Sequence, residues 1–490
     1  MTSMPTTPSS APRAGERAHA PALALAAGAL LLVAGVLGGC SLDRIAGSSM
    51  PVNVPDPGPT HSALGAMNAF RGALLDFRTW VGGDYNSYIP VGGLLTDELG
   101  SADISSASFA ENDDVLIDSR NLLEGSGTGP IDTLYSGLQQ TRGQTEEARG
   151  LVEAYDPDST AIVGYLDLLQ GYTEVYLADL FCSGVPLSTL DYNGNYTLKP
   201  GSTTQQVYAD AAAQFDSAMT LAVDSAHLLN AARVGEARAQ LDLGNYAAAA
   251  SVASQVPDGF TFALRFSTFS PATNLPGNSG NRNFSFGDFL SGASGAGTHV
   301  TMSNDEGGNG LPFRASNDPR TAWAVNGASG GFTLYRPKKY GSLLGTDSIV
   351  IASAVEARLI EAEVALQAHD TATWLHDLNA LRTDSTQAFG VWNAGTGAVK
   401  GLAPLTDPGT DSGRVDLTFR ERAFWLYLTG ERQGDLRRLI RQYGRDPNAV
   451  YPTGVYNGAA GSYGNDVTAP IPESGRGSKP LFTGCFNRGA

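Results

Sequence analysis

Residues 419–440 read Phe-Arg-Glu-Arg-Ala-Phe-Trp-Leu-Tyr-Leu-Thr-Gly-Glu-Arg-Gln-Gly-Asp-Leu-Arg-Arg-Leu-Ile. Apolar residues such as Phe419 and Ala423 recur at helical spacing. Charges stand at both ends, where a pair such as Asp435 and Arg438 can meet on a helix surface. Gly430 costs a helix about 1 kcal/mol relative to alanine, which indicates a kink or a close approach by another segment. The stretch therefore predicts an amphipathic helix with a salt-bridged face.

The stretch also has a specific order of residues. The residues concerned are Glu421-Arg422, Leu426, Gly430, Arg432, Asp435-Leu436 and Arg438. This order resembles the C-terminal motif of the SusD/RagB family, which usually reads Glu-Arg, Glu-Leu, Glu-Gly-x-Arg and Asp-Leu-x-Arg. Trp425 and Thr429 replace the two inner glutamates of that motif. The resemblance implies that these charges are structural and not catalytic.

Further segments resemble the same family, and they follow in its order. They are Leu180-Phe181 with Val185-Pro186, a tetratricopeptide-like stretch over 237–249, Asn317-Asp318-Pro319-Arg320, the 358–363 helix, Asn379-Ala-Leu-Arg382 and Ala469-Pro-Ile-Pro472. Helical spacing predicts helices over 62–77, 131–156, 161–181 and 349–367 and a helix hairpin and a half within 203–257. The resemblance implies a mostly α, SusD-like fold with tetratricopeptide-like helix pairs and a loop-rich ligand face.

The N-terminus has the pattern of a secretory signal. Arg13 and Arg17 precede the apolar run 22–37, and Leu-Gly-Gly leads into Cys40. This spelling resembles a bacterial lipobox, whose cysteine is diacylated and becomes the mature N-terminus. The alternative is a transmembrane anchor, but the run is shorter than the roughly 20 residues that a span needs. We therefore expect Cys40 to be the lipid anchor. The family resemblance implies that the anchored protein lies in the outer membrane and faces outside.

The chain divides on composition into a signal, a tether and a body. We expect the signal peptide over 1–39 and a Pro-, Gly- and Ser-rich tether over 40–60. The body spans 61–490, with an N-terminal part over about 61–310 and a C-terminal part over about 311–490. The net charge of −17 argues against binding to nucleic acid and against broad adhesion to anionic lipid.

Two cysteines remain once Cys40 is assigned. Cys182 and Cys485 are then the only thiols in an exported chain. Two thiols in an oxidising compartment often pair, so we expect a disulfide between them. The alternative is two buried free thiols.

The sequence lacks the patterns of common catalytic and metal sites. It contains no Walker loop and no His-Glu-x-x-His. His369 and His376 are seven residues apart, which is more typical of a helix surface than of a metal site. Acidic pairs such as Asp97-Glu98 and Asp113-Asp114 are expected by composition alone among 49 acidic residues. We expect no enzyme activity, no cofactor and no metal.

Sugar rings pack on aromatic planes, and their hydroxyls need polar partners on loops held by a rigid frame. Trp80, Tyr85 and Tyr88 lie in a Gly-, Asp- and Asn-containing stretch after the first helix. We predict that they contact the ligand, with Phe284 and Phe286 in the Gly- and Asn-rich stretch 273–310 as an opposing wall. The alternative is that Trp80 and one tyrosine merely cover the first helix.

The family resemblance implies a binding protein of the cell surface. Such a protein captures an oligosaccharide or another nutrient oligomer and passes it to a SusC-like TonB-dependent transporter, and it touches the membrane only through its lipid. A periplasmic tetratricopeptide scaffold lipoprotein is the main alternative, and a lipid-anchored glycan hydrolase is the third.

Overall fold

The computed structural model describes residues 60–101, 113–122, 129–266, 300–329, 332–340, 347–383, 399, 402–456, 461–472, 481 and 484–490. These residues belong to one compact unit. The unit is mostly helical, as the sequence predicts.

Helices carry most of the described chain. In chain order they are α1 Ala63–Arg78, α2 Tyr88–Leu95, α3 Asp113–Asp118, α4 Gly129–Tyr155, α5 Thr160–Leu180, α6 Thr204–Leu221, α7 Ala226–Asp242, α8 Tyr246–Ala253, α9 Ala354–Gln367, α10 Thr371–Thr383, α11 Asp411–Trp425, α12 Arg432–Arg441 and α13 Pro447–Val450. A π-helical turn, Thr79–Gly83, extends α1.

The strands are short and pair in antiparallel twos. They are β1 Leu99–Ser101, β2 Val185–Pro186, β3 Thr189–Leu190, β4 Tyr196–Thr197, β5 Gly201–Ser202, β6 Thr261–Leu264, β7 Val300–Met302, β8 Trp323–Ser329, β9 Phe332–Pro337 and β10 Ile349–Ser353. The pairs are β1 with β7, β6 with β10, β2 with β5, β3 with β4, and β8 with β9.

Consecutive helices pack against each other in pairs, as in tetratricopeptide repeats. The packed neighbours are α4 with α5, α6 with α7, α7 with α8, and α9 with α10. Thr203 starts α6 with a capping box, because its hydroxyl accepts from Gln206 N and the Gln206 side chain accepts from Thr203 N. Gly244 turns the chain between α7 and α8 at φ +79°. The helix hairpin predicted around 237–249 is therefore confirmed.

Two large apolar cores hold the unit together. The first forms around α5, which packs against α4, α6, α7 and α12. The second lies between α9, α10, α11 and α12 and contains Trp374 and Trp425. Segments from both halves of the body thus meet at α12, so the motif of residues 419–440 lies where the two cores adjoin.

The prediction of one helix over 419–440 is wrong, because the structure has two helices. α11 ends at Trp425 and α12 begins at Arg432. Between them Leu428 and Gly430 have φ values of +52° and +98°. Distant groups hold this break open, since Leu428 N donates to the Glu98 carboxylate at 2.7 Å. Such contacts give backbone N–H groups the hydrogen-bond partners that an unbroken helix would have given them.

The helix predicted over 349–367 begins five residues late. Residues 349–353 form β10, which pairs with β6, and α9 begins at Ala354 with the Ser353 hydroxyl accepting from Glu356 N. The run Ile-Val-Ile at 349–351 is β-branched, and such residues suit a buried strand. Burial of all five residues removes the polar alternation that would have marked the strand.

Candidate functional site

Trp80 lies in the π-helical turn after α1 and is half-buried. Its indole ring rests on α4 at Gly137, where an added Cβ would lie 2.1 Å from the ring. The glycine therefore makes room for the indole. Part of Trp80 serves packing, as the alternative interpretation holds, and the remainder reaches the surface.

Tyr85 is the most exposed of the three predicted aromatic residues, with 49% of its surface accessible. The turn that presents it is held locally, because the Asp84 carboxylate accepts from Asn86 N at 2.9 Å and the Asp84 carbonyl accepts from the Ser87 hydroxyl. We call residues 79–87 the Tyr85 turn. It combines a half-buried indole, an exposed phenol ring and polar neighbours, which is the chemistry of a sugar-binding surface.

The prediction for Tyr88 is wrong. Its side chain is fully buried, and its hydroxyl donates to Asp179 Oδ2 at 3.2 Å and to the Gly430 carbonyl at 3.0 Å. Its ring stacks on Tyr176 with a centroid separation of 4.3 Å. Every residue of α2 is buried, so Tyr88 belongs to the core and cannot offer its ring to a ligand.

Several predicted features lie outside the described residues. These are the signal peptide, Cys40 and the tether, together with Phe284 and Phe286 in the proposed opposing wall. The residues on either side of 267–299 are described, and two of their contacts bear on the candidate site. Phe266 lies 3.5 Å from the Cβ position of Gly83 in the Tyr85 turn, and Thr301 accepts from Tyr335 N at 2.9 Å.

A second aromatic group lies on the β8–β9 hairpin. Trp323 and Tyr335 meet edge to face at 5.2 Å, and the Arg314 guanidinium covers the Tyr335 ring at 3.8 Å. Trp323 Nε1 donates to the Arg314 carbonyl at 3.2 Å. We call these three residues the Trp323 cluster. All three are half-buried, so each keeps some surface for a ligand.

The sequence interpretation missed the Trp323 cluster. The available signal was two short runs with aromatic and β-branched residues, 323–329 and 332–337, separated by glycines. The high glycine content of 258–347 concealed this hairpin. The described residues that flank 267–299 adjoin the Tyr85 turn on one side and the Trp323 cluster on the other.

The charges of the motif are buried in ion pairs. Arg422 binds Asp435 at 2.8 Å, and Arg438 binds Asp435 at 2.7 Å and Glu363 at 3.1 Å. Burial alone would raise the pKa of Asp435, but Arg422 and Arg438 hold it below its usual value. Arg238 joins Glu356 and Glu431 in the same interior. This network is closed to solvent, which suits a structural role.

The acidic pair Asp97-Glu98 is also part of the interior. Asp97 receives two hydrogen bonds from Arg432, at 2.7 and 2.8 Å. Glu98 is fully enclosed, and its burial raises its pKa to about 8. Two buried carboxyl groups with protein partners do not flank a substrate cleft.

Within the described ranges, no group of three or more His, Cys, Asp or Glu side chains is placed to hold a metal ion. Across the same ranges, no helix combines the length and the apolar composition that crossing a bilayer requires.

A disulfide joins Cys182 to Cys485, with a Cα–Cα distance of 5.7 Å. Cys182 lies two residues after the end of α5, and Cys182 N donates to the Ala469 carbonyl at 2.9 Å. Beside the bridge, Phe486 N donates to the Ser183 carbonyl at 2.7 Å. The bridge thus attaches the C-terminal residues to the end of α5.

Comparison with known proteins identifies the fold. No family model matches the chain, and no curated protein matches it. A solved SusD homolog from Bacteroides thetaiotaomicron is similar in structure, with a TM-score of 0.59, 14% identity, and coverage of 87% of this chain and 97% of that one. A SusD/RagB family protein from the same species has a TM-score of 0.56 at 16% identity, covering 84% and 94%.

A third solved structure is a SusD-like carbohydrate binding protein from Bacteroides vulgatus. Its TM-score is 0.52 at 15% identity, and the match covers 78% of this chain and 83% of that one. The chain therefore has the SusD-like fold, as its motifs predict.

Proposed function

We propose that this chain is a SusD/RagB-type surface lipoprotein that binds a glycan or a similar nutrient oligomer without cleaving it. The observation that carries the proposal is the SusD-like fold over most of the chain, shared with a structure described as a carbohydrate binding protein. The resemblance of the 419–440 motif to the family supports it independently at the level of sequence.

The exposed aromatic residues support the glycan as ligand. A sugar ring stacks its C–H face on an aromatic plane, and each such contact is worth about 1 kcal/mol or more. Tyr85 offers an exposed ring in the same turn as Trp80, and the Trp323 cluster offers an indole next to a tyrosine ring that a guanidinium covers. Both groups stand on turns or hairpins held by the helical body, which is where binding residues are commonly placed.

The binding test compares single substitutions. Tyr85→Ala and Trp323→Ala should each weaken binding of the cognate oligosaccharide about fivefold or more, since one stacking contact is lost. Tyr196→Ala is the matched control, because Tyr196 is 72% exposed but lies on the separate β3–β4 hairpin. Calorimetric titration measures the affinities. Equal affinities for all three variants and the unsubstituted protein would remove both aromatic groups from the site.

The lipid anchor is proposed at Cys40. Several acyl chains hold a protein stably on a membrane, whereas one alone does not. Cys40→Ala should therefore move the protein from the membrane fraction to the soluble fraction. Mass spectrometry of the mature protein should find an acylated N-terminal cysteine at this position. An unmodified N-terminus, or one at another residue, contradicts the anchor.

The partner is proposed to be a SusC-like TonB-dependent transporter. The test is co-purification from detergent-solubilised outer membranes, with the lipidated chain as bait. Proteolysis of intact cells distinguishes the main alternative, since a periplasmic tetratricopeptide scaffold would be protected from an added protease and the proposed surface protein would be cleaved. Release of shortened oligosaccharides by the purified protein would instead indicate a hydrolase.

A further inference from the structure

A cavity of about 250 Å³ lies between α11, α12 and α13 and the loop at Asn309 and Leu311. Three arginines line it, namely Arg420, Arg432 and Arg445, and the one acidic lining residue is Asp416. Neither the Tyr85 turn nor the Trp323 cluster lines this cavity. Its positive lining is unusual for a chain with a net charge of −17.

Two of the arginines already have carboxylate partners. Arg445 Nη2 donates to Asp416 at 2.7 Å, and Arg432 donates through Nε and Nη2 to Asp97. Arg432 is only 6% exposed. Its Nη1 makes no hydrogen bond to any residue in the described ranges. Because Arg432 lines the cavity, an acceptor bound there would give this nitrogen a charge-assisted hydrogen bond.

Arg420 has no carboxylate partner. Its guanidinium stacks over the Phe424 ring at 4.8 Å, and it forms no ion pair or hydrogen bond with any other residue that the structure describes. Stacking on an aromatic face leaves the planar edge of a guanidinium open for hydrogen bonding. Asp97 neutralises the charge of Arg432 and Asp416 neutralises that of Arg445. The charge of Arg420 therefore remains uncompensated.

The rest of the lining is largely apolar. Phe419, Leu436 and Leu439 form part of the walls, Val450, Ala449 and Leu311 are further apolar residues, and Asn309 is the one remaining polar residue. The volume equals roughly eight waters at about 30 Å³ each, which suits a molecule with one ring. One uncompensated positive charge in apolar walls favours a monoanion with an apolar body.

We propose that this cavity binds a small organic monocarboxylate with an apolar or aromatic body. The carboxylate would accept from Arg420 and from Arg432 Nη1, and the body would lie against the leucines. Guanidinium groups suit this role because they bind carboxylates through two parallel hydrogen bonds. The site is separate from the proposed glycan surface, so a result against glycan binding would not contradict it.

Calorimetry at low ionic strength tests the site with three probes. Benzoate carries the charge and the ring, benzamide is its neutral match, and glucuronate joins the same carboxylate to a polar sugar body. We expect benzoate to bind at least tenfold more tightly than benzamide, because a charge-assisted hydrogen bond is about twice as strong as a neutral one. Glucuronate should bind more weakly than benzoate, because the walls are apolar.

Two substitutions locate the binding. Arg420→Gln should weaken benzoate at least tenfold, and Ala449→Trp should block the cavity from its exposed rim. Arg414→Gln is the control on the same helix, since Arg414 pairs with Asp407 and Asp411 at the surface. Unchanged thermal unfolding verifies that the variants fold.

Three results would overturn the proposal. One is no binding of benzoate at concentrations up to about 10 mM. Another is equal weakening by Arg420→Gln and Arg414→Gln. A third is tighter binding of glucuronate than of benzoate, which would indicate an acidic sugar in place of an apolar carboxylate.

Discussion

The backbone angle φ of Gly430 is part of the break between α11 and α12. Its φ of +98° lies in the region that glycine alone adopts easily. The ring of Tyr88 lies 3.0 Å from where a Cβ would be, and the Gly430 carbonyl accepts from the Tyr88 hydroxyl. The glycine that weakens a continuous helix in the sequence is therefore required by the break in the structure.

Gly430→Ala should destabilise the protein by about 2 kcal/mol or more, since backbone strain and a steric clash add together. Gly409→Ala is the matched control, because Gly409 has a φ of +81° but no atom within 4 Å of its Cβ position. We expect that control to cost about 1 kcal/mol, from strain alone. Urea unfolding measures both variants. Equal losses would show that the contact with Tyr88 does not matter.

At the scale of elements, backbone hydrogen bonds and a disulfide join the end of α5 to the C-terminal residues. Ala469 N donates to the Leu180 carbonyl and Ser183 N donates to the Asn487 carbonyl, at 2.7 and 3.1 Å. The Cys182–Cys485 disulfide closes a separation of 303 residues. Cys182 is buried, so the bridge is part of the first apolar core and not an external clasp.

The double variant Cys182→Ser with Cys485→Ser should lose about 2–4 kcal/mol of unfolding free energy, because the unfolded chain gains entropy without the cross-link. Reduced protein with the original cysteines should match the variant. Denaturant unfolding under both conditions makes the comparison. Reaction of both thiols with a maleimide in unreduced, denatured protein would show that no bridge forms.

Across the whole molecule, buried carboxyl groups make stability depend on pH in an unusual direction. Desolvation by burial raises the pKa of Glu98 to about 8 and that of Asp179 to about 7, and burial also raises the pKa of Glu306. The folded protein therefore holds these protons where the unfolded chain has released them. Their stabilising contribution is complete below about pH 4 and is lost as pH rises to about 8.

These carboxyl groups should thus make the unfolding free energy higher at pH 5.5 than at pH 8.5, whereas burial lowers the pKa of Lys339 and this acts in the opposite direction. Glu98→Gln should stabilise the protein by roughly 1–3 kcal/mol at pH 8.5 and change it little at pH 5.5, since a glutamine oxygen can still accept from Leu428 N. Glu153→Gln, on the exposed side of α4, is the control that should leave the slope unchanged. Urea titrations across this range give the slope. A Glu98→Gln variant with the slope of the original protein would contradict the assignment.

Local patterns in the sequence were sufficient for most helices. α4 and α5 lie within two residues of their predicted bounds, because helical periodicity and helix caps act over three or four residues. The exposure of Tyr85 was predictable for a similar reason, since Gly, Asp and Asn mark an exposed turn. The hairpin of the Trp323 cluster was not identified, because glycine-rich neighbours obscured its alternation.

The sequence by itself determined the mostly helical class, the helix pairs and the resemblance of the 419–440 motif to a known family. Only the tertiary structure decided that the motif breaks at 426–431, that Tyr88 is buried, and that Arg238 pairs with Glu356 and Glu431 across 118 and 193 residues. The physical reason is the distance along the chain over which each interaction acts. Helix periodicity is a property of adjacent turns, whereas burial and the choice of a charge partner depend on segments that meet only after folding.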